Sequence, residues 1–120
     1  VILVDTSVWV AHLRHGLAPL ADRLLEGDVA CHPFVVGELV CGNLRNREQI
    51  LSLLANLPSV PVAGHQEVLT LIENHRLMGT GLGWIDVHLL ASALISGARL
   101  WSLDVRLRNT AEGLRAGFAP

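Results

Sequence analysis

Helical segments alternating with short apolar strands predict a single α/β domain with a parallel sheet covered by helices on both faces, a three-layer α/β/α arrangement. Three observations carry this. β-Branched runs of three to five residues recur between segments with helical apolar spacing. Glycine and proline stand at most of the boundaries between them. Apolar residues make up 51% of the 120-residue chain and charged residues only 17%, a composition that folds around one core and needs one domain, residues 1–120.

Val1–Asp5 is β-branched and Leu-rich and predicts the first strand. Thr6 or Ser7 is placed to cap a helix starting near Ser7. Pro19 precedes a second helix, Leu20–Glu26, and Gly27 ends it. Val29–Cys31 predicts a strand. Phe34–Cys41 predicts an apolar helix stopped by Gly42, and Arg47–Leu57 a further helix stopped by Pro58. Val60–Val62 predicts a third strand. His65–Met78 predicts a long helix with Val68, Leu69, Leu71 and Ile72 on its apolar side. Gly79-Thr80-Gly81-Leu82-Gly83 is a flexible connection, and Ile85–Ile95 predicts a helix. Leu100–Leu103 predicts a fourth strand, and the tail a short helix with a last strand near Phe118.

No apolar run reaches the roughly 18 residues of a membrane span. Asp5 interrupts the apolar opening and no basic residue precedes it, so it makes a poor signal peptide and a cytoplasmic protein is expected. Cys31 and Cys41 are ten residues apart and form no metal-binding pair; two reduced cysteines in or near the core are expected. All nine basic residues are Arg and none is Lys, with a net charge of −2. Bulk charge therefore announces no nucleic-acid partner.

The acidic residues separate into two groups. Asp22, Glu26, Asp28, Glu48, Glu67, Glu73 and Glu112 lie in polar or helix-surface contexts, where solvated faces explain them. Asp5, Glu38, Asp86 and Asp104 have apolar neighbours in sequence, where an ionised carboxylate is costly unless compensated. Helix capping explains Asp5 or Asp86 singly, and an Arg pair any one of them. Four together, at strand ends and helix starts, are better explained by convergence on a cation. In a parallel α/β sheet, sites lie outside the carboxyl ends of the strands, where Asp5 and Asp104 fall. An oxygen-only set suits Mg²⁺ or Mn²⁺ rather than Zn²⁺.

Other aspartate chemistries are excluded. A receiver domain needs a Lys, and the chain has none. A haloacid-dehalogenase phosphatase needs Asp-x-Asp, but Thr6 and Ser7 follow Asp5. A DxSxS metal-adhesion site needs Ser where Trp9 stands. No P-loop and no G-x-S-x-G elbow occur.

Four segments resemble the PIN-domain family. Val4-Asp5-Thr6-Ser7-Val8 is similar to its opening strand, ending in Asp before two hydroxyl or amide residues. Val36-Gly37-Glu38-Leu39-Val40-Cys41-Gly42 is similar to its helix carrying E-L-x-x-G. Trp84-Ile85-Asp86-Val87-His88-Leu89-Leu90-Ala91-Ser92-Ala93-Leu94 is similar to its D-x-x-[IL]-A-x-[AT]-A helix. Leu100-Trp101-Ser102-Leu103-Asp104-Val105-Arg106-Leu107 is similar to its strand ending in [TS]-x-D-x-x-[FL]. Each is weak alone; four in order over the whole chain are specific. His88, Leu89 and Ser102 depart slightly from the pattern, and no carboxylate is lost. The compact length resembles VapC toxins of toxin–antitoxin pairs.

The resemblance implies a parallel sheet in the order 3-2-1-4-5. It implies catalytic, metal-binding Asp5, Glu38, Asp86 and Asp104, with Thr6, Ser7 and Ser102 as supporting hydroxyls. It implies a metal-dependent endoribonuclease that leaves a 5′-phosphate and a 3′-hydroxyl. It also implies a homodimer and a VapB-like antitoxin that blocks the site. Setting the four carboxylates aside leaves the remainder at +2, so RNA binding is expected to rest on local Arg patches. Arg106 and Arg108 are the first candidates by proximity to Asp104; Arg14 with His15, and Arg45 with Arg47, are others. Trp9, Trp84 and Trp101 are expected to pack rather than stack on bases. Two rival readings remain: a PIN-domain RNA-processing nuclease outside any toxin pair, which the absence of an upstream antitoxin gene would favour, and a catalytically silent partner-binding module, which an Arg in the acidic cluster would favour.

Overall fold

The computed structural model describes all of residues 1–120. The chain order is β1 Ile2–Val4, α1 Thr6–His15, α2 Ala18–Glu26, β2 Val29–Ala30, α3 Pro33–Cys41, α4 Arg47–Asn56, α5 His65–His75, α6 Trp84–Ser96, β3 Arg99–Trp101 and α7 Val105–Gly113. The three strands form one parallel sheet, with β1 in the centre and β2 and β3 on either side. Ile2 pairs with both Val29 and Arg99, and Val4 pairs with Trp101. Successive strand residues point to opposite faces. Ile2, Leu3 and Val4 are nevertheless all buried, so helices cover the sheet on both sides. No helix is long and apolar enough to cross a membrane.

The sheet is shorter than expected. Val60–Val62 forms no strand. Cys31 and Ser59 make a single parallel bridge, through Cys31 N–H to Pro58 O (2.8 Å) and Val60 N–H to Cys31 O (2.9 Å). Pro61 follows and has no N–H with which to extend the ladder. At the other edge, Leu100 and Gly117 make a second bridge where a strand near Phe118 was expected. Three regular strands flanked by two single bridges thus stand in place of the five implied by the resemblance.

Most helices follow the predicted punctuation, but α1 begins at Thr6 with Asp5, rather than Thr6 or Ser7, in the N-cap position, and no side chain caps it. Pro19 stands in the first turn of α2, and Gly27 ends that helix in the left-handed region (φ 76°). His32 caps α3, its Nδ1 accepting the Phe34 N–H at 3.0 Å. α5 ends three residues before Met78, because Arg76 adopts a left-handed conformation (φ 52°) and closes the last turn. The core comprises 26 buried apolar side chains, with Trp9, Leu89, Leu90 and Leu100 among the largest. Cys31 lies in it, whereas Cys41 is exposed, and both are free thiols. Asp28, expected on a solvated face, is half-buried and paired with Arg23 Nη1 at 3.1 Å.

Candidate metal centre

The site is built on the register of the two longest strands. Val4 and Trp101 are partners in parallel strands, so the chain leaves β1 and β3 at the same end of the sheet. Asp5 follows the first and Ser102 the second, tied by the Asp5 N–H to Trp101 O bond at 2.9 Å. Asp5 is buried, 6% exposed. Its Oδ2 accepts from Ser7 Oγ at 2.7 Å and Ser102 Oγ at 2.8 Å. Each hydroxyl has one proton and directs it at this oxygen. Their lone pairs serve the next turn of chain: Leu103 N–H donates to Ser7 Oγ (3.0 Å), and Asp104 N–H to Ser102 Oγ (3.0 Å). Ser7 and Ser102 thereby fix Asp5 and Asp104 relative to each other.

The remaining two carboxylates come from helices. Thr6 Oγ1 donates to Glu38 Oε1 at 2.8 Å and so holds α3 against the start of α1. Asp86 lies in the first turn of α6, its Oδ2 accepting the Gly83 N–H at 2.9 Å. Asp104 caps α7, its Oδ1 accepting from the N–H groups of Arg106 (3.0 Å) and Leu107 (3.2 Å). Burial pushes the Asp86 carboxyl above the ordinary carboxylate range, the Gly83 N–H pulls it back, and the nearby charges of Asp5 and Asp104 push it up further. Asp5, Asp86 and Asp104 therefore share one electrostatic neighbourhood. Glu38 joins them only through Thr6.

The burial differs from what the sequence context suggested. Only Asp5 is buried; Asp86 is intermediate, and Glu38 and Asp104 are exposed. On a helix, adjacent residues point about 100° apart. Leu39 thus enters the core while Glu38 faces out, and apolar neighbours in sequence do not make apolar surroundings.

No basic side chain pairs with these acids. The only ion pairs in the chain join Arg23 to Glu26 and Asp28. Arg106 packs against the loop beside α6, with Nη1 at 3.5 Å from Gly81 O. Arg108 lies in a separate depression with Trp101, Asn109 and Phe118 that reaches Ser102 and Leu103. Trp9 and Trp101 are core residues, but Trp84 is 41% exposed, in edge contact with His88. On the other side of Glu38 and Thr6 a cleft opens between α1 and the α3–α4 connection. Arg14, His15 and Arg45 line it, basic residues the sequence had ranked behind Arg106 and Arg108.

The PIN-domain family profile matches residues 2–113. The chain belongs to the PIN-domain family. This PIN domain is also 51% identical over 108 residues to Ribonuclease VapC32 of Mycobacterium tuberculosis, in both the CDC 1551/Oshkosh and the ATCC 25618/H37Rv strains. The match covers 89% of this chain and 87% of each relative.

PIN nucleases generally use divalent metal ions. The donor set here is all oxygen, which suits a hard cation. Each of the four carboxylates uses one oxygen in the bonds above and leaves the other, Asp5 Oδ1, Glu38 Oε2, Asp86 Oδ1 and Asp104 Oδ2, without a protein donor. The side chains do not close into a ready-made shell of three or more ligands. Asp86 and Asp104 are turned toward the backbone of their own helix starts. The chemistry of the site fits a divalent cation, and the geometry leaves two side chains to swing onto it.

Proposed function

We propose that the protein is a metal-dependent endoribonuclease and the toxin of a VapBC-type pair. The observation that carries this reading is the buried Asp5, fixed by two hydroxyls among like charges with no Arg to neutralise them. A neighbourhood of like charge without a protein counter-ion calls for a cation from outside. It also counts against a silent module, which would be expected to seat an Arg there. The kinship with a VapC ribonuclease supplies the substrate class, RNA, and a VapB-like antitoxin as partner.

In this reading Asp5, Asp86 and Asp104 hold Mg²⁺ or Mn²⁺ through their unbonded oxygens, with Glu38 at the rim. When bound, the cation supplies Lewis acidity at a phosphoryl oxygen and lowers the pKa of a water. Ser7 and Ser102 keep Asp5 from rotating. Thr6 holds Glu38 by Oε1, leaving Oε2 to accept a proton from the attacking water. Asp86 would offer Oδ1 to the cation, with Oδ2 on the Gly83 N–H. We further propose that the protein acts in the cytoplasm as a homodimer, with an antitoxin segment over α3 and α4. Val40 and Leu53 are exposed apolar side chains on these helices that such a segment would cover.

The test is expression without a partner. Wild type should arrest growth and cleave RNA in vitro only with added Mg²⁺ or Mn²⁺, and Asp5→Asn should do neither while keeping its fold. Cleavage that survives exhaustive EDTA, or full activity in Asp5→Asn, overturns the reading. Co-expression with the product of an adjacent small gene should give a complex that no longer cleaves. Sedimentation as a strict monomer at high micromolar concentration would remove the homodimer.

A further inference from the structure

The cleft beside Glu38 has a volume of about 620 Å³, within the ~300–1,000 Å³ range of ligand sites and too large for an ion alone. One end is formed by Thr6 and Glu38, so it opens directly onto the acidic site. Its lining also carries basic residues. Arg14 and His15 come from the last turn of α1, and Arg45 from the α3–α4 connection. Neither arginine forms an ion pair or a side-chain hydrogen bond within the protein, so both guanidinium groups are free.

Helix electrostatics accounts for one of them. Arg14 sits at the carboxyl end of α1, where the dipole favours a cation. Arg45 lies just before α4, at the end of a helix where the dipole opposes one. Glu48, in the first turn of α4, is the nearest acidic residue in sequence, and no ion pair joins the two. The turn that carries it is braced: Arg47 donates to Val40 O (2.8 Å) and Gly42 O (3.2 Å), and Asn46 adopts a left-handed conformation (φ 54°) that asparagine tolerates. Asn43 and Asn46 of this turn line the same cleft. Leu13, Leu39 and Ile50 give the cleft an aliphatic part, and no Phe, Tyr or Trp lines it.

We infer that this cleft is a nucleotide subsite. It takes the single-stranded RNA next to the phosphate undergoing cleavage, with Arg14 and Arg45 on the RNA phosphates and sugar edges on the aliphatic part. This rests on the ribonuclease reading of the acidic site. Duplex RNA is excluded because the cleft has room for a nucleotide rather than a helix. With the His15 imidazole as the one ring in its lining, the subsite grips backbone more than bases. A strand held this way places negative charge on guanidinium in the cleft and on the carboxylate-bound cation beside it.

The test separates binding from cleavage. A fluorescein-labelled 12-nucleotide single-stranded RNA is titrated with the full chain in EDTA, across a salt series, using wild type, Arg14→Ala, Arg45→Ala and the double variant. Both arginines are exposed, and thermal melts check that the variants fold. The double variant should bind at least tenfold more weakly. Its log Kd against log salt should flatten by about 1.4, the value for two phosphate contacts on a single strand. With Mn²⁺ added, KM should rise while kcat changes little, and lysine at both positions should restore most of the affinity. Unchanged affinity and salt slope in a folded double variant overturn the subsite. So does loss of antitoxin binding alone, which would make the cleft a protein-docking surface. If wild type cleaves no RNA yet binds the strand through Arg14 and Arg45, the subsite stands and the ribonuclease reading fails.

Discussion

Replacing Ser102 by Ala removes a hydroxyl that is 2% exposed and holds two elements of the site together. The Ser102 Oγ donates to Asp5 Oδ2 at 2.8 Å and accepts from Asp104 N–H at 3.0 Å. A hydrogen bond to a charged group contributes about 1.5–3 kcal/mol. Ser7 continues to serve Asp5, and water can reach the exposed Asp104, so the expected loss lies near the low end, about 2 kcal/mol. With an unfolding entropy of about 2.1 cal/mol/K per residue, a chain of 120 residues should melt about 8 °C lower. Activity should suffer beyond the stability loss, because Asp5 and Asp104 lose their common brace; removing partners that orient metal ligands costs about 10–100-fold. Thermal melts and cleavage rates at saturating Mn²⁺, well below the melting temperature, give both numbers. Ser92→Ala is the control. That hydroxyl is equally buried, but bonds His32 Nε2 (3.1 Å) and Ala63 N–H (3.4 Å), away from the acidic site. It should lower the melting temperature and spare kcat. Equal effects of the two substitutions on rate, or an unchanged rate in Ser102→Ala, would refute the bracing argument.

Asp86→Asn keeps an oxygen for the Gly83 N–H and removes a carboxylate whose charge is disfavoured by burial and by Asp5 and Asp104. Native Asp86 binds its proton more tightly than the unfolded chain does, so stability falls as pH rises through and above 3.8; the metal-free variant should melt higher than wild type at pH 7, with the gap closing in acid, and cleave at least about 100-fold more slowly. His32 has the opposite sign: burial holds it down to about 4, so stability is fully present above 6.5 and is lost as pH falls toward 4. Protonation would put a hydrogen on the Nδ1 that accepts the Phe34 N–H, and pH-dependent melts should show a loss across that window that His32→Gln lacks. Gly81 has φ +87°, and a Cβ there would stand 2.9 Å from Arg106 Cδ; Gly81→Ala should cost about 1–2 kcal/mol by thermal melt, with Arg106→Ala relieving part of it in the double variant.

The helices and the central strand were legible because their signals are local. Pro19, Gly27 and Gly42 mark ends that the structure keeps, and the helical spacing of Leu89, Leu90 and Ala93 points to the face they bury. The outer strands were not legible, since Val60–Val62 has the residues of a strand but Pro61 removes the donor that a ladder needs. Of the site, the meeting of Asp5 with Asp104 follows from parallel strands ending together. The two-serine brace requires the register of β1 against β3, which sequence does not state. Glu38 misled most, because its apolar neighbours turn away around the helix. The basic cleft was missed as a unit because Arg14 and Arg45 are 31 positions apart and meet only across α1 and the turn after α3.

The central position of β1 has a consequence for the order in which a working site comes into being. The first strand made must wait for both its neighbours, and the second of these ends only at Trp101. Asp5 meets its Ser102 hydroxyl across a separation of 97 residues. At synthesis rates of about 5–20 residues per second, the chain spends several seconds with α1 and α3 already made and no β3 to pair with. During that interval Asp5 lacks one of its two hydroxyls, and Asp104 has yet to be added. On the proposed reading, a centre that needs both Asp5 and Asp104 is incomplete until nearly the whole domain has emerged, a delay set by topology alone.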